Sequence, residues 1–248
     1  KQMKATTAAG PLSKLSMAGL LITLGIVYGD LGTSPLYTLR AMLKGAAVID
    51  SDFILGALSC IFWTLTLQTT VKYILITLRA DNKGEGGIMA LFALLKKRKN
   101  WLYVVAIVGG CALLADGIIT PAITVTSAIE GLRILKPGIP VVAVVFVILS
   151  VLFFIQQFGT VFLGKSFGPL MLFWFSMIGV LGLVQLVRVP EVLLAVNPYY
   201  AIKLLSAYPN GFLLLGAVFL CTTGAEALYS DLGHCGVRNI RISWIFVK

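Results

Sequence analysis

The stretch Gly29–Tyr37 (GDLGTSPLY) lies in the middle of the first long apolar segment of the chain, residues 16–45. Two glycines, a proline and several hydroxyl groups cannot easily sustain a regular helix over these nine residues. At membrane depth, unwound backbone is tolerated only where it is buried in protein or lines a cavity. The stretch therefore predicts an interrupted helix, whose carbonyl oxygens and Asp30 carboxylate can replace the hydration water of a cation. The alternative is a flexible kink with a solvated Asp30, which the cost of an intramembrane carboxylate disfavours.

The composition of the chain is that of an integral membrane protein. Apolar residues make up 58% of its 248 residues and charged residues 12%, whereas soluble domains contain about 25% charged residues. The net charge of +10 does not indicate nucleic-acid binding. Most Lys and Arg residues flank the apolar runs, where they orient helices across an anionic membrane.

Long apolar segments predict an all-α membrane protein, because a helix that spans the bilayer needs about 20 mostly apolar residues. Six segments qualify, and they are residues 16–45, 52–78, 101–130, 139–158, 167–188 and 210–232. A seventh begins near residue 240. We interpret Ile88–Leu95 as an interfacial or re-entrant piece and Pro190–Pro209 as an amphipathic surface segment. The chain starts at Lys1 and stops inside an apolar stretch, so we expect it to be a piece of a longer protein.

The positive charges predict a cytoplasmic N-terminus, since twelve Lys and Arg residues then lie inside and six outside. The cytoplasmic residues are Lys1, Lys4, Lys14, Arg79, Lys83, Lys96, Lys97, Arg98, Lys99, Lys165, Arg238 and Arg241. The residues on the other side are Arg40, Lys44, Arg133, Lys136, Arg188 and Lys203. We interpret the basic run at residues 96–99 as a membrane anchor and not as a ligand site.

The third apolar segment contains a carboxylate and two hydroxyls at a helical spacing. Asp116, Thr120 and Thr124 are four residues apart, so they share one helix face. Pro121 has no N–H and leaves the carbonyl of Gly117 without its helical donor. The alternative is that the two threonines only bond back to their own helix, and this is more serious for Thr124 than for Thr120.

The sixth segment contains the run Thr222–Ala225 (TTGA), which predicts a second helix break beside Glu226. A carboxylate at this depth can change between its protonated and charged forms, which makes Glu226 a natural proton carrier. Asp231 lies near the expected end of the segment and can be simply solvated. Lys72, in the second segment, can extend its ammonium group to the interface, and we assign it no role.

The cysteines and the histidine indicate neither a metal centre nor an enzyme. Cys60, Cys111, Cys221 and Cys235 have no metal-binding spacing, and His234 has no partner pattern. We therefore expect no resident cofactor, no metal site apart from transported ions, and no catalytic residues.

Broken first and sixth helices are typical of transporters built from two five-helix inverted repeats, with the substrate between them at the midplane. We expect residues 1–248 to form one transmembrane transporter domain. The first repeat would cover about 16–188, and the second would begin at about 210–248.

Five blocks, in order along the chain, resemble the KUP/HAK/KT potassium-uptake family. The blocks are Gly29–Tyr37, Arg79–Gly87, Ile119–Val125, Ser127–Leu132 and Thr223–Tyr229. The resemblance implies proton-coupled potassium import and the LeuT-like, amino-acid/polyamine/organocation-type fold, of which this chain holds the N-terminal part. The implied potassium contacts are Asp30, Tyr37, Asp116, Thr120, Thr124 and Thr223. Glu226 matches an acidic residue proposed to take part in proton coupling. Some relatives have Glu where this chain has Asp116, and Ser where it has Thr124.

The sequence thus favours secondary active potassium uptake across the plasma membrane, and we expect this membrane to be a bacterial inner membrane. The main alternative is an amino-acid or polyamine transporter of the same fold, but Asp30 would repel a substrate carboxylate. A potassium channel is less favoured, because no TVGYG-type loop is present. The expected partners are potassium, a proton and the lipid bilayer, with no nucleic acid. Assembly as a homodimer stays open.

Overall fold

The computed structural model describes residues 15–45, 49–95, 101–133, 135–157, 160–208 and 211–248. Within these ranges the chain is helical, apart from connecting turns and one isolated bridge between Asn82 and Glu85. The α-helices are α1 (Met17–Leu31), α2 (Ser34–Gly45), α3 (Ser51–Thr64), α4 (Gly87–Leu95), α5 (Leu102–Leu132), α6 (Val141–Gln156), α7 (Thr160–Arg188), α8 (Pro198–Ala207), α9 (Gly211–Phe219), α10 (Ala227–Ser230), α11 (Leu232–Cys235) and α12 (Val237–Val247). An all-α membrane protein is therefore confirmed.

Five helical stretches in the described part of the chain are long and apolar enough to cross a membrane. They are Met17–Lys44, Ser51–Arg79, Leu102–Leu132, Ser166–Arg188 and Leu213–Ser230. The fourth predicted span is shorter than expected, because α6 has 16 residues and is about 24 Å long, against a bilayer core of about 30 Å. It begins after Pro140 and ends at the neighbouring glutamines Gln156 and Gln157.

The first span is interrupted where its sequence predicts a break. Helix α1 ends at Leu31, Gly32 and Thr33 form a turn, and α2 begins at Ser34. Pro35 cannot donate a hydrogen bond to the carbonyl of Leu31, so the helical ladder cannot continue through this point. Gly32 also lies so close to the ring of Phe175 on α7 that a Cβ atom there would be only 2.9 Å from Cε1 of that ring.

The sixth predicted segment is also broken as expected. After α9, Leu220–Thr222 form a short 3₁₀ helix, and residues 223–226 form turns before α10 begins. Gly224 has a φ of +85°, a conformation that side chains with a Cβ atom rarely adopt. By contrast, α5 remains helical through Pro121.

The second span contains a feature that the sequence does not predict. Helix α3 passes directly into a π-helix, Leu65–Ile76, followed by a 3₁₀ turn, Thr77–Arg79. A π-helix bonds each residue to the fifth residue along the chain and is frequently found at functional sites. Its altered spacing changes which side chains of this span share one face.

The two larger of three buried clusters in the described part of the chain hold several of these spans together. Helix α1 packs between α7 and α12, where Tyr28 stacks on Trp244 with ring centroids 6.1 Å apart. The Tyr28 hydroxyl donates a hydrogen bond of 2.8 Å to the carbonyl of Ile240. In the second cluster, α3 packs against α8, and the hydroxyl of Ser59 donates to the carbonyl of Asn197 at 3.0 Å. The interrupted first span contributes to both clusters, with Tyr28 of α1 in the first and Met42 of α2 in the second.

The two segments interpreted as non-spanning are short helices. Ile88–Leu95 lies in α4, which has nine residues, and the Pro190–Pro209 stretch contains a 3₁₀ helix, Pro190–Val196, followed by α8. The basic residues 96–99 and Lys1, Lys4 and Lys14 lie outside the described residues, as does the side chain of Lys165.

Candidate ion-binding site

Four of the predicted site residues converge on one cavity beside the break in the first span. Asp30 comes from α1, whereas Asp116, Thr120 and Thr124 come from α5, and together they line a cavity of about 310 Å³. Gly29 and Gly117 line the same space. A Cβ atom at either glycine would meet no other atom within 4 Å, so the absence of side chains leaves room next to the carboxylates.

Hydrogen bonds orient the oxygen atoms of this cavity. The Thr120 hydroxyl donates to Oδ1 of Asp116 at 2.7 Å. The Thr124 hydroxyl reaches across to the other span and donates to Oδ1 of Asp30 at 3.4 Å. The alternative in which Thr124 bonds only to its own helix does not hold, because its hydroxyl bridges α5 and α1. The face of α5 predicted from the spacing is confirmed as the face that lines the cavity.

The turn between α1 and α2 is stabilised around the carbonyl of Asp30. The backbone N–H and the hydroxyl of Thr33 donate to this oxygen at 3.0 and 2.9 Å, and the Ser34 hydroxyl lies 3.0 Å from it. The same Ser34 hydroxyl lies 3.0 Å from the carbonyl of Thr223, at the break in the other span. One side chain thus connects the two helix breaks.

A second cavity, of about 240 Å³, adjoins the first through Asp116. Its lining combines two hydroxyl residues and Glu226 of the sixth segment with polar residues of the π-helix, and the full set is Gln68, Lys72, Tyr73, Asp116, Phe219, Thr222, Thr223 and Glu226. The side chains of Asp116 and Glu226 therefore face the same space. A carboxylate can only accept hydrogen bonds, so a direct bond between these two groups would require that one of them carries a proton.

Tyr37 and Thr223 are placed next to the cavities in a different way from the other predicted ligands. The Tyr37 hydroxyl lies 2.8 Å from that of Ser34, and Tyr37 is not among the described residues that line either cavity. Thr223 lines the second cavity and not the first, and its hydroxyl donates to the carbonyl of Leu220 at 2.8 Å. The predicted ligands other than Tyr37 are therefore divided between two spaces that share Asp116.

A family model described as the K+ potassium transporter integral membrane domain matches residues 17–248. The chain belongs to the Kup family of potassium transporters. A Flavobacterium johnsoniae protein named "Probable potassium transport system protein Kup" is 63% identical over 240 residues, covering 95% of this chain and 36% of its own length. A Clostridium perfringens protein of the same name is 53% identical over 256 residues, covering 98% of this chain and 39% of its own.

This Kup-family chain spans a little more than a third of the length of the curated relatives it matches, as the shares of 36% and 39% show. No solved structure matches it. Its relatives are named as transporters and not as enzymes, which agrees with the reading that the site binds a substrate without converting it.

Sequence reasoning missed the contribution of the second span to the site of this Kup-family chain. Lys72, which was given no role, lines the cavity that holds Glu226, together with Gln68 and Tyr73. A lysine within an apolar span was a usable signal, because intramembrane charges usually face a cavity or the bundle interior. The π-helix that brings these residues to the cavity had no local sequence signal that we recognised.

Proposed function

We propose that this chain forms the first part of a transporter that imports potassium together with a proton. The observation that carries the proposal is the cavity lined by Asp30, Asp116, Thr120 and Thr124, where two carboxyl groups and two hydroxyls from separate spans converge. A cation that leaves water needs oxygen ligands in place of its hydration shell. Two carboxyl groups favour a cation over any substrate that carries a carboxylate, so the geometry gives no support to an amino-acid transporter.

The proposed potassium site uses Asp30, Asp116, Thr120 and Thr124 directly. Thr223 and Tyr37 contribute from the neighbouring break, where Ser34 connects the carbonyl of Thr223 to the first span. Oxygen atoms from separate helices suit a site that must open and close, because a relative movement of the helices changes the ligand set.

Proton coupling is proposed to run through the pair of Asp116 and Glu226. When Glu226 carries the proton, it can donate a hydrogen bond to Asp116 across the cavity that both residues line, which keeps the Asp116 carboxylate charged and positioned at the edge of the potassium cavity. When that proton leaves, two negative charges face each other, and their repulsion disfavours the same arrangement. Proton binding and potassium binding therefore support each other, as symport requires.

We further propose that the two helix breaks serve alternating access in the LeuT-like inverted-repeat fold. Residues 1–248 would contribute the first repeat and the start of the second, with potassium at the midplane between them. The N-terminus would be cytoplasmic in a bacterial inner membrane, as the distribution of Lys and Arg predicts. Assembly as a homodimer is compatible with this arrangement, and no resident cofactor is needed for it.

The test uses the full-length transporter in proteoliposomes. Uptake of radioactive rubidium, as a potassium analogue, is measured with and without an imposed inward pH step. We expect Asp30→Asn to abolish potassium binding and uptake, because a site with one carboxylate less cannot offset dehydration of the ion. Glu226→Gln, which mimics the permanently protonated residue, should bind potassium by calorimetry but not accumulate it.

Asp52→Asn is the matched control, because Asp52 is exposed and pairs with Lys203 at 2.6 Å, remote from both cavities. Normal potassium binding by Asp30→Asn would refute the proposed site. Undiminished proton-driven uptake by Glu226→Gln would refute the proposed proton carrier, while loss of binding in that variant would make Glu226 a ligand.

A further inference from the structure

A tight turn at residues 80–87 follows the second span and is held by its own residues. Asn82 and Glu85 pair through two backbone hydrogen bonds of 2.9 and 3.1 Å. Between them, Lys83 and Gly84 have φ values of 57° and 86°, and two successive positive φ values are typical of the type I′ turn. These residues form one preorganised unit, which we call the second-span turn.

The second-span turn packs on the part of the sixth segment that follows the helix break. The Tyr229 hydroxyl donates a hydrogen bond to the carbonyl of Ala80. Gly86 lies against Tyr229, where a Cβ atom would clash with the Tyr229 carbonyl oxygen and lie 2.9 Å from Cδ2 of its ring. The Glu85 carboxylate covers Gly233, where a Cβ atom would lie 2.6 Å from Oε1 of Glu85. The two surfaces therefore fit so closely that neither glycine leaves room for a methyl group.

Two walls of the second cavity lead to this contact. On the second span, the chain continues from Tyr73, which lines the cavity, through the 3₁₀ turn to Ala80. On the sixth segment, Glu226 lines the cavity and is followed directly by α10, which contains Tyr229. The hydrogen bond between Tyr229 and Ala80 thus ties the two walls together at one end of the cavity. Separation of this contact would part the walls and open the cavity toward the turn.

The second-span turn is suited to local opening. Asp81 and residues 83–85 are exposed, and segments with few buried contacts open at a lower free energy than the core does. Because the turn is held by its own hydrogen bonds, it can separate from the sixth segment without unfolding. The motif Arg79–Gly87, to which the proposed function gives no role, contains this turn.

We propose that the second-span turn is a gate, which closes the ion pathway on its own side of the membrane while it is docked on Tyr229 and Gly233. This inference rests on the proposed function, because alternating access requires a gate on each side of the ion site. With the turn docked, the second cavity is closed from that side, and after separation it exchanges water and ions with that side. The distribution of Lys and Arg predicts that this side is cytoplasmic.

The experiment measures access to the second cavity with a reporter cysteine in the full-length transporter. Gln68→Cys places a thiol in the lining of this cavity, and Cys111→Ser removes an exposed natural thiol. A positively charged, membrane-impermeant methanethiosulfonate is added to right-side-out or inside-out vesicles without potassium. Its reaction rate is compared with that of the same protein lacking Gln68→Cys. A separate Lys83→Cys protein, labelled at the exposed tip of the turn, shows which face of the membrane carries the turn.

Tyr229→Phe removes the hydroxyl that donates to Ala80 and keeps the ring. Because the docked state predominates in this scheme, loss of one hydrogen bond should raise the open fraction, and the reporter's reaction rate from the turn's side, about fivefold. Gly86→Ala should raise this rate at least as much, because its methyl group clashes with the backbone of Tyr229. The matched controls should leave the rate unchanged, and they are Tyr199→Phe, at a side chain that is 59% exposed, and Gly179→Ala, where a Cβ atom would meet no other atom within 4 Å.

A faster reaction from the turn's side alone is the expected result. An unchanged rate from that side in Tyr229→Phe would overturn the inference. An equal increase from both sides would also overturn it, because a purely structural contact loosens the protein without preference for one face. If thermal unfolding shows that Gly86→Ala is misfolded, Tyr229→Phe alone decides the question.

Potassium binding by Asp30→Asn is measured in parallel, by calorimetry, to separate the two proposals. If Asp30→Asn still binds potassium, the proposed potassium site fails. The reporter reaction is measured without potassium, so its outcome decides the role of the second-span turn independently of that site.

Discussion

Replacing Gly224 with alanine should weaken potassium binding by displacing the neighbouring side chain of Asp30. A Cβ atom on Gly224 would lie 2.9 Å from both Cβ and Oδ2 of Asp30 and 3.0 Å from the backbone nitrogen of Leu31. Ordinary contacts between carbon atoms are about 3.5–4.0 Å, so Asp30 or the turn must move by roughly 0.6–1 Å. The Thr124 to Asp30 hydrogen bond is already 3.4 Å long and would be lost by such a movement.

The size of this effect follows from the conformation of the turn. Gly224 has a φ of +85°, and an L-residue in a left-handed conformation is strained by about 1–2 kcal/mol. If that free energy opposes the ion-bound arrangement, potassium binding becomes roughly 5- to 30-fold weaker. The measurement is calorimetric titration of the full-length Gly224→Ala protein with potassium, accompanied by thermal unfolding.

Gly216→Ala on α9 is the matched control, because a Cβ atom there would meet no other atom within 4 Å. In a helix this change should leave potassium binding unaltered and stabilise the protein by about 0.5–1 kcal/mol. Potassium binding by Gly224→Ala with unreduced affinity would refute the reasoning that this glycine makes room for Asp30.

Two further predictions concern other groups. Thr124→Ala should weaken potassium binding about as much as Thr120→Ala does, by roughly 1 kcal/mol or fivefold, because each change removes one hydrogen bond. If calorimetry gives Thr124→Ala the same potassium dissociation constant as the unmodified protein, the hydrogen bond from Thr124 to Asp30 has no effect on binding. Asp231→Asn should raise the thermal unfolding midpoint at pH 7, because burial raises the pKa of Asp231 above its ordinary value, an effect only partly offset by His234. The folded state then binds more protons than the unfolded state, so ionisation of Asp231 lowers stability as pH rises. The difference in unfolding midpoint between Asp231→Asn and the unmodified protein should vanish below about pH 4, where Asp231 is protonated in both states. A midpoint difference that does not change with pH would contradict this.

The helix breaks could be predicted from sequence because their causes are local. Pro35 lacks a donor at one break and Gly224 adopts a left-handed conformation at the other, and both residue types are visible in the chain itself. The common face of Asp116, Thr120 and Thr124 was predictable for the same reason, since α5 is a regular helix and four-residue spacing defines its faces.

The remaining features depend on contacts between distant segments. Thr124 binds Asp30 because the fold brings this point of α5 to the end of α1, and nothing in the local sequence around residue 124 distinguishes this from a bond to its own helix. Lys72 reaches the second cavity through a π-helix, whereas α-helical spacing and the reach of a lysine side chain suggested the membrane interface. The division of the predicted ligands between two cavities likewise follows from packing, because Asp116 lies where they meet.

The hydroxyl group of Ser34 has one hydrogen and two carbonyl oxygens within reach, those of Asp30 and Thr223. It can donate to only one of them at a time. The Asp30 carbonyl already has two donors from Thr33, which leaves the Thr223 carbonyl as the oxygen that most needs this hydrogen. A buried carbonyl without a donor is costly. The break in the sixth segment therefore depends on a hydroxyl from the break in the first, and a displacement of either break alters the hydrogen bonding of the other.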